Sequence, residues 1–141
     1  MSELYDLTTP ALAYLGDCVL ELCTRQYLVL EQGLSTSAHL NQAALQYVTA
    51  PSQAKAMRLI EPVLTPEELS VFKRGRNVGH TNVPKHATVQ EYRRATGMEV
   101  LFGYLWATDQ KQRLEHLFRI GYGMEQAETN QNYPTEENME S

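Results

Sequence analysis

Apolar residues recur along most of this chain at intervals of three and four, the spacing of one face of an α-helix. No segment alternates apolar and polar residues with the two-residue period of a half-buried strand, and no segment repeats another. The pattern therefore predicts an all-α protein, a bundle of about six helices. The predicted helices cover residues 10–30, 35–48, 49–60, 65–75, 88–107 and 110–121.

Capping residues mark where several of these helices begin. Thr9 is expected to cap the first helix, with Pro10 at the first helical position, where its missing N–H group does no harm. Residues 65–68 (Thr-Pro-Glu-Glu) and 88–91 (Thr-Val-Gln-Glu) each pair a threonine with the glutamate three positions later, as in a capping box. Residues 77–87, between the fourth and fifth helices, are expected to form a loop.

The length and composition indicate one globular domain. With 141 residues, 43% hydrophobic and 21% charged, the chain is long enough for one core and too short for two ordinary domains. We assign residues 1–123 to that domain. Residues 124–141 contain five glutamates and no lysine or arginine, so they are expected to be an acidic, disordered tail.

The sequence predicts no contact with a membrane. No apolar run approaches the roughly 20 residues that cross a bilayer, and the first ten residues have neither the basic start nor the apolar block of a secretory signal. Cys18 and Cys23 fit no metal motif and are expected to be buried thiols without a disulfide, and the four histidines lack the spacing of zinc ligands. A cytoplasmic location is therefore expected.

Charge is distributed unevenly along the chain. The net charge is −5, yet residues 73–94 contain six lysines and arginines against one acidic residue, Glu91. The six are Lys73, Arg74, Arg76, Lys85, Arg93 and Arg94. Such a basic segment is typical of a surface that binds nucleic-acid phosphates, although each residue alone could also be a solvated surface charge.

Two carboxylates stand inside otherwise apolar helices. Asp17 borders the buried face of the first helix, directly after Gly16, which allows another backbone or a ligand to approach. Glu99 is surrounded by apolar residues of the fifth helix, and Gly103 one turn later leaves room for a second helix. Each also has a plainer interpretation: an exposed helix aspartate for Asp17, and a buried glutamate paired with an arginine for Glu99.

Paired carboxylates on two packed helices suit Mg²⁺. This ion prefers oxygen ligands, takes only one or two protein carboxylates and keeps several waters. It can also activate water and shield phosphate charge, as phosphodiester hydrolysis requires. Asp17 and Glu99 are therefore the candidate metal-binding and catalytic residues.

Three segments together resemble a known family: AYLGDCVLEL, FKRGRN and EYRRATGMEVLFGYLW. They are similar to the ribonuclease III catalytic domain, and within it to the short bacterial subgroup called Mini-ribonuclease III, over residues 9–122. The resemblance implies an all-α homodimer that cleaves double-stranded RNA with Mg²⁺. It matches Asp17 and Glu99 to the family's catalytic carboxylates, and it implies maturation of large-subunit (23S) ribosomal RNA as the task.

The chain departs from the larger ribonuclease III enzymes at two positions. Ala13 and Thr96 stand where those enzymes carry a glutamate and an aspartate, a loss that the subgroup shares, so more of the shell of an ion would be water or phosphate oxygen. A separate double-stranded-RNA-binding domain is also not expected after Gly123.

Without that domain, contacts to the RNA must come from the catalytic domain itself. The candidate RNA-binding residues are Lys73, Arg74, Arg76 and Lys85. Residues 92–94 could contribute, whereas Asn77 could instead hold the backbone of its own loop.

Two other functions remain open at this point. Ala13 and Thr96 would favour a double-stranded-RNA-binding protein that no longer cleaves, in which Asp17 and Glu99 are relics or structural ion pairs. An all-α protein-interaction dimer is the third possibility.

Overall fold

Six α-helices make up most of residues 7–78 and 86–125, the part of the chain that the computed structural model describes. They are α1 (Thr9–Gln26), α2 (Ser37–Val48), α3 (Ala50–Ile60), α4 (Pro66–Arg76), α5 (Val89–Ala107) and α6 (Lys111–Gly121). A π-helical turn, Tyr27–Glu31, continues α1, and a 3₁₀ turn, Glu61–Val63, follows α3. No strand occurs in these residues, so the prediction of an all-α fold is confirmed.

The first helix begins one residue earlier than predicted. Thr8, not Thr9, is the N-cap, because Thr8 has an extended backbone conformation and its hydroxyl accepts a 3.1 Å hydrogen bond from the Ala11 N–H. The proline that follows is tolerated because the N–H groups of the first turn have no partner within the helix. The local signal predicted the type of cap but not its exact position.

Both predicted capping boxes are present. The Thr65 hydroxyl accepts from the Glu68 N–H at 3.1 Å, and the Glu68 carboxylate accepts from the Thr65 N–H at 2.9 Å. Thr88 and Glu91 repeat this exchange at 3.0 and 2.9 Å. These hydrogen bonds satisfy N–H groups that the first turns of α4 and α5 would otherwise leave unpaired.

The core is built around α5, which packs against α1, α3, α4 and α6. Eight of its residues are buried, on almost all sides of the helix. A helix segment buried in this way must be apolar nearly all round, as residues 97–106 of α5 are apart from Glu99. The buried residues of α5 are Ala95, Gly97, Met98, Val100, Leu101, Phe102, Gly103 and Leu105.

Two glycines allow α1 and α5 to cross with their backbones in contact. A Cβ atom added at Gly16 would lie 1.7 Å from the carbonyl oxygen of Glu99, and one added at Gly103 would lie 2.1 Å from the carbonyl oxygen of Leu12. No side chain fits between the helices at this point. The crossing therefore places the residue after Gly16, which is Asp17, next to Glu99.

The expected burial of both cysteines is wrong for Cys18. Cys23 is partly buried against the core, but Cys18 is exposed, and both are free thiols. Cys18 lies on the same outward face of α1 as Tyr14, one turn earlier, which is 86% exposed.

Parts of the predictions fall outside the described residues. Lys85 lies there, as does most of the acidic tail, residues 126–141. Within residues 7–78 and 86–125, no helix is both long enough and apolar enough to span a membrane.

We predict that Gly16→Ala destabilises the protein by about 3 kcal/mol or more, because a methyl group there forces two backbones apart. The higher helix propensity of alanine contributes only about 1 kcal/mol in the opposite direction. Urea unfolding measures the change. Gln112→Ala, at an exposed position of α6, serves as the control and should stay within about 0.5 kcal/mol of the wild type. A Gly16→Ala protein as stable as the wild type would contradict the close crossing.

Candidate active site

Asp17 and Glu99 are brought together where α1 crosses α5. Asp17 is exposed, while Glu99 is partly buried and lies with its backbone against Gly16. Burial raises the pKa of Glu99 to about 8, and the negative charge of Asp17 contributes to the same rise. The two carboxylates, 82 positions apart in the chain, thus interact directly through their charges.

Neither carboxylate has a counter-charge in the described structure. No hydrogen bond or ion pair links Asp17 or Glu99 to another residue within 7–78 and 86–125. Glu68, a buried acidic residue of α4, differs: Arg113 donates to both of its carboxylate oxygens, at 2.9 and 3.0 Å. The plainer interpretation of Glu99, a buried ion pair with an arginine, therefore has no support in this part of the chain.

The donor set fits a hard divalent cation. Two neighbouring carboxylates repel each other, and a cation between them would remove that repulsion and the desolvation cost of Glu99. Oxygen donors in this number suit Mg²⁺, which takes one or two carboxylates and completes its shell with water or substrate oxygens. No group of three or more histidine, cysteine, aspartate or glutamate side chains that could hold a metal occurs among the described residues.

The two positions at which the larger enzymes carry additional acids contribute no ligand here. Ala13 is a partly buried residue packed against the core. The Thr96 hydroxyl donates a 2.9 Å hydrogen bond to the Tyr92 carbonyl in its own helix. Of positions 13, 17, 96 and 99, only 17 and 99 therefore provide an acidic side chain.

The predicted RNA-binding residues of α4 lie at its C-terminal end. Lys73 and Arg74 are exposed, and Arg74 donates a 2.9 Å hydrogen bond to the Thr9 hydroxyl at the start of α1. Arg76 donates to the Asn77 side-chain oxygen at 3.1 Å, so Asn77 orients this arginine. Most of the loop that Asn77 was expected to hold, residues 79–85, lies outside the described residues. Lys85 lies outside the described residues.

Sequence reasoning missed one basic residue, Arg58. It lies exposed on α3 and lines, with Arg76, Arg93 and Arg94, a groove of about 540 Å³. No local signal identifies it, because Arg58 stands 15 positions before the basic segment and joins it only through the packing of α3 on α5.

A second missed residue is Tyr14, three positions before Asp17. Its side chain is 86% exposed, although α1 is otherwise anchored in the core. The helical pattern alone showed only that Tyr14 lies off the apolar face.

Comparisons with known proteins give a consistent result. A profile of the ribonuclease III domain matches residues 10–110, which include Asp17 and Glu99. The Mini-ribonuclease 3 of Enterococcus faecalis is 44% identical over 119 residues, covering 83% of this chain and 89% of that protein. The Mini-ribonuclease 3 of Clostridium tetani is 36% identical over 118 residues, covering 84% of this chain and 78% of that protein. A crystal structure of a Fusobacterium nucleatum protein superposes with a TM-score of 0.72 at 28% identity, covering 82% of this chain and 91% of that one.

We predict that Glu99 makes the protein less stable as the pH rises from about 4.5 to about 8. Below this range the carboxyl is protonated in both the folded and unfolded chains. Within it the unfolded chain releases the proton while the folded chain retains it, so the free energy of unfolding falls. Each pKa unit corresponds to about 1.4 kcal/mol, and Glu99→Gln should therefore be more stable than the wild type above pH 8 by up to a few kcal/mol.

Urea unfolding in EDTA across this pH range measures the effect. Asp17→Asn keeps the burial of Glu99 but removes the neighbouring charge, so it should reduce the pH dependence without abolishing it. A constant stability difference between Glu99→Gln and the wild type at every pH would contradict the raised pKa.

Proposed function

This chain belongs to the ribonuclease III domain family and is an endoribonuclease, and from that premise we propose that it cleaves double-stranded RNA as a Mg²⁺-dependent homodimer. The observation that carries the proposal is the pair of carboxylates, Asp17 and Glu99, that meet at the α1–α5 crossing without a counter-charge in the described structure.

Asp17 and Glu99 are the residues that would hold Mg²⁺. When bound, the ion lowers the pKa of a coordinated water and offsets the charge on the phosphate oxygens. In the hydrolysis, a water oxygen bonds to phosphorus while the bond from phosphorus to the 3′-oxygen breaks. The backbone contact at Gly16 and Gly103 restricts how far apart the two carboxylates can be, so neither is free to drift from the other.

Glu99 can bind a cation only after it has lost its proton. Because its pKa is raised to about 8, protons compete with the cation over the physiological pH range. The same low-dielectric surroundings that hold the proton also strengthen attraction to a cation once the carboxylate is ionised. Cation binding should therefore become tighter as the pH rises through this value.

Contacts with the RNA backbone are assigned to the basic C-terminal end of α4, with Lys73, Arg74 and Arg76, and to Lys85 in the following segment. Exposed lysines and arginines bind phosphates without reading sequence, which suits recognition of a duplex by its shape. Arg74 is held in place by Thr9 of α1, the helix that carries Asp17, so one basic contact is positioned relative to the carboxylates.

Tyr14 supports the homodimer. It projects from α1 three residues before Asp17, and Leu22 further along the helix is 42% exposed. Apolar side chains exposed along one helix are suited to packing against the same helix of a second copy. Two copies would supply two pairs of carboxylates, one for each strand of a duplex.

The proposed substrate is precursor RNA of the large ribosomal subunit (23S), in the cytoplasm. This rests on the resemblance to Mini-ribonuclease III, and the chemistry of the site itself suits any RNA duplex.

A duplex-binding protein without cleavage activity is the alternative. The observation that favours it is the absence of acidic side chains at Ala13 and Thr96, which leaves only two carboxylates at these positions to bind a metal directly. The uncompensated carboxyl of Glu99 argues against it. A partly buried acid without a counter-charge lowers the stability of the fold, and a protein that no longer cleaves would gain nothing from this cost.

We predict that Asp17→Asn and Glu99→Gln each reduce cleavage of a duplex RNA by more than about 100-fold. This is a larger loss than is usual for a residue that only orients a metal ligand. Both variants should still bind the duplex in Ca²⁺. Gel analysis of products in Mg²⁺ and fluorescence anisotropy in Ca²⁺ measure the two quantities. Glu21→Gln, one turn beyond Asp17 and paired with Arg25, is the control and should cleave normally. Binding without product from the wild-type protein would support the non-catalytic alternative.

We also predict that Mg²⁺ raises the melting temperature of the RNA-free protein more at about pH 8.5 than at about pH 6.5, because the proton on Glu99 competes with the cation. Asp17→Asn should lose most of this stabilisation. Differential scanning fluorimetry with and without Mg²⁺ is sufficient. Equal stabilisation of the wild type and Asp17→Asn would place the cation elsewhere.

A further inference from the structure

A groove that neither carboxylate lines collects guanidinium groups from three helices. It has a volume of about 540 Å³ and lies between α3, the end of α4 and the start of α5. We call it the arginine groove and define it by Arg58, Arg76, Arg93 and Arg94.

The arginine groove carries more positive charge than its own acids offset. Arg94 is paired with Glu61 at 2.6 Å, but neither Arg58 nor Arg93 has an acidic partner among the described residues. The acidic residue that lines the groove, Glu91, already accepts the Thr88 N–H of its capping box. A surplus of positive charge in one groove is typical of a surface that binds an anion.

Two features arrange this charge for a phosphate. The guanidinium of Arg76 is held by the Asn77 side chain at 3.1 Å and lies 5.8 Å from the centre of the Phe72 ring, so its direction is set in advance. The 19-residue α5 begins at the groove, which Thr88 and Gln90 also line, and adds the partial positive charge of its N-terminus. Planar guanidinium groups can contact a phosphate through two hydrogen bonds at once.

The arginine groove and the carboxylates lie on different faces of α5. Gln90 precedes Glu99 by nine residues, which corresponds to about half a turn around the helix axis and about 14 Å along it. Consistent with this, Arg94 faces the segment after α3, whereas Glu99 faces α1. A phosphate in the groove therefore cannot be the one that the carboxylates of the same chain cleave.

We propose that the arginine groove binds a backbone phosphate of the RNA duplex away from the cleavage site, and that Arg58 and Arg93 supply this contact. The inference rests on the proposed function, and it adds Arg58 and Arg93 to the phosphate contacts already assigned to the end of α4. Such a contact strengthens binding of the substrate and its transition state equally, so it lowers KM and leaves kcat unchanged.

The test compares Arg58→Ala/Arg93→Ala with the wild type. Neither side chain has a partner in the described structure, so the variant should fold and melt normally. Fluorescence anisotropy with a long duplex in Ca²⁺, over a series of salt concentrations, should show about 10-fold weaker binding and a salt slope that falls by about one for each phosphate that the variant no longer binds. Cleavage in Mg²⁺ should show the same rise in KM at constant kcat.

A matched control removes the same charge elsewhere. Arg25→Ala/Lys55→Ala has the same net charge as the test variant, with one residue on α1 and the other on α3 outside the groove. It should bind the duplex with a salt slope close to that of the wild type. An equal reduction of affinity in both variants would show that only net charge matters and would overturn the proposal.

The remaining outcomes separate the inference from the function on which it rests. If the wild type cleaves duplex RNA and the Arg58→Ala/Arg93→Ala variant matches it in affinity and salt slope, the groove does not bind RNA and the proposed function stands. If the variant instead loses affinity only for a poly-glutamate peptide, the groove belongs to an acidic protein partner and the inference is overturned. If the wild type neither binds nor cleaves a duplex, the proposed function itself fails.

Discussion

The contact between the backbones of α1 and α5 is the constraint on which the rest of this structure depends. At Gly16 and Gly103 a single added carbon would lie within 2.1 Å of a carbonyl oxygen of the opposite helix. Helices this close leave no freedom in the relative position of the residues beside the crossing. The same contact therefore determines the centre of the core and the relation between Asp17 and Glu99, so stability and site geometry cannot be varied independently.

The charged residues of the described structure fall into two groups, those with an ionic partner and those without one. Arg113 satisfies buried Glu68, and Arg94 pairs with Glu61, so these ions hold helices together. Asp17, Glu99, Arg58 and Arg93 have no such partners within the described residues. Of these four, only Glu99 is partly buried, and its uncompensated charge has an energetic cost that a bound cation would offset. Negative charge on one face of α5 and positive charge on the other then suit a cation and a polyanion, respectively.

Local sequence determined the elements of the fold. Apolar periodicity indicated the all-α class, and both capping boxes occur where the threonine and glutamate pairs predicted them. The error at Thr9 is one residue, because two adjacent threonines offer the same hydroxyl and only the backbone conformation selects Thr8. The family could also be identified from the sequence, since its motifs are short contiguous segments that the comparison over residues 10–110 supports.

The sequence by itself thus determined the helices, the family and the two candidate carboxylates, because helix periodicity, caps and motifs depend on neighbours within a few positions. Only the tertiary structure decided that Asp17 and Glu99 meet, that Cys18 and Tyr14 face outward, and that Arg58 joins arginines from two other helices. These facts depend on which helix faces pack together. Packing is a non-local property that a charge count or a helical period along the chain does not contain.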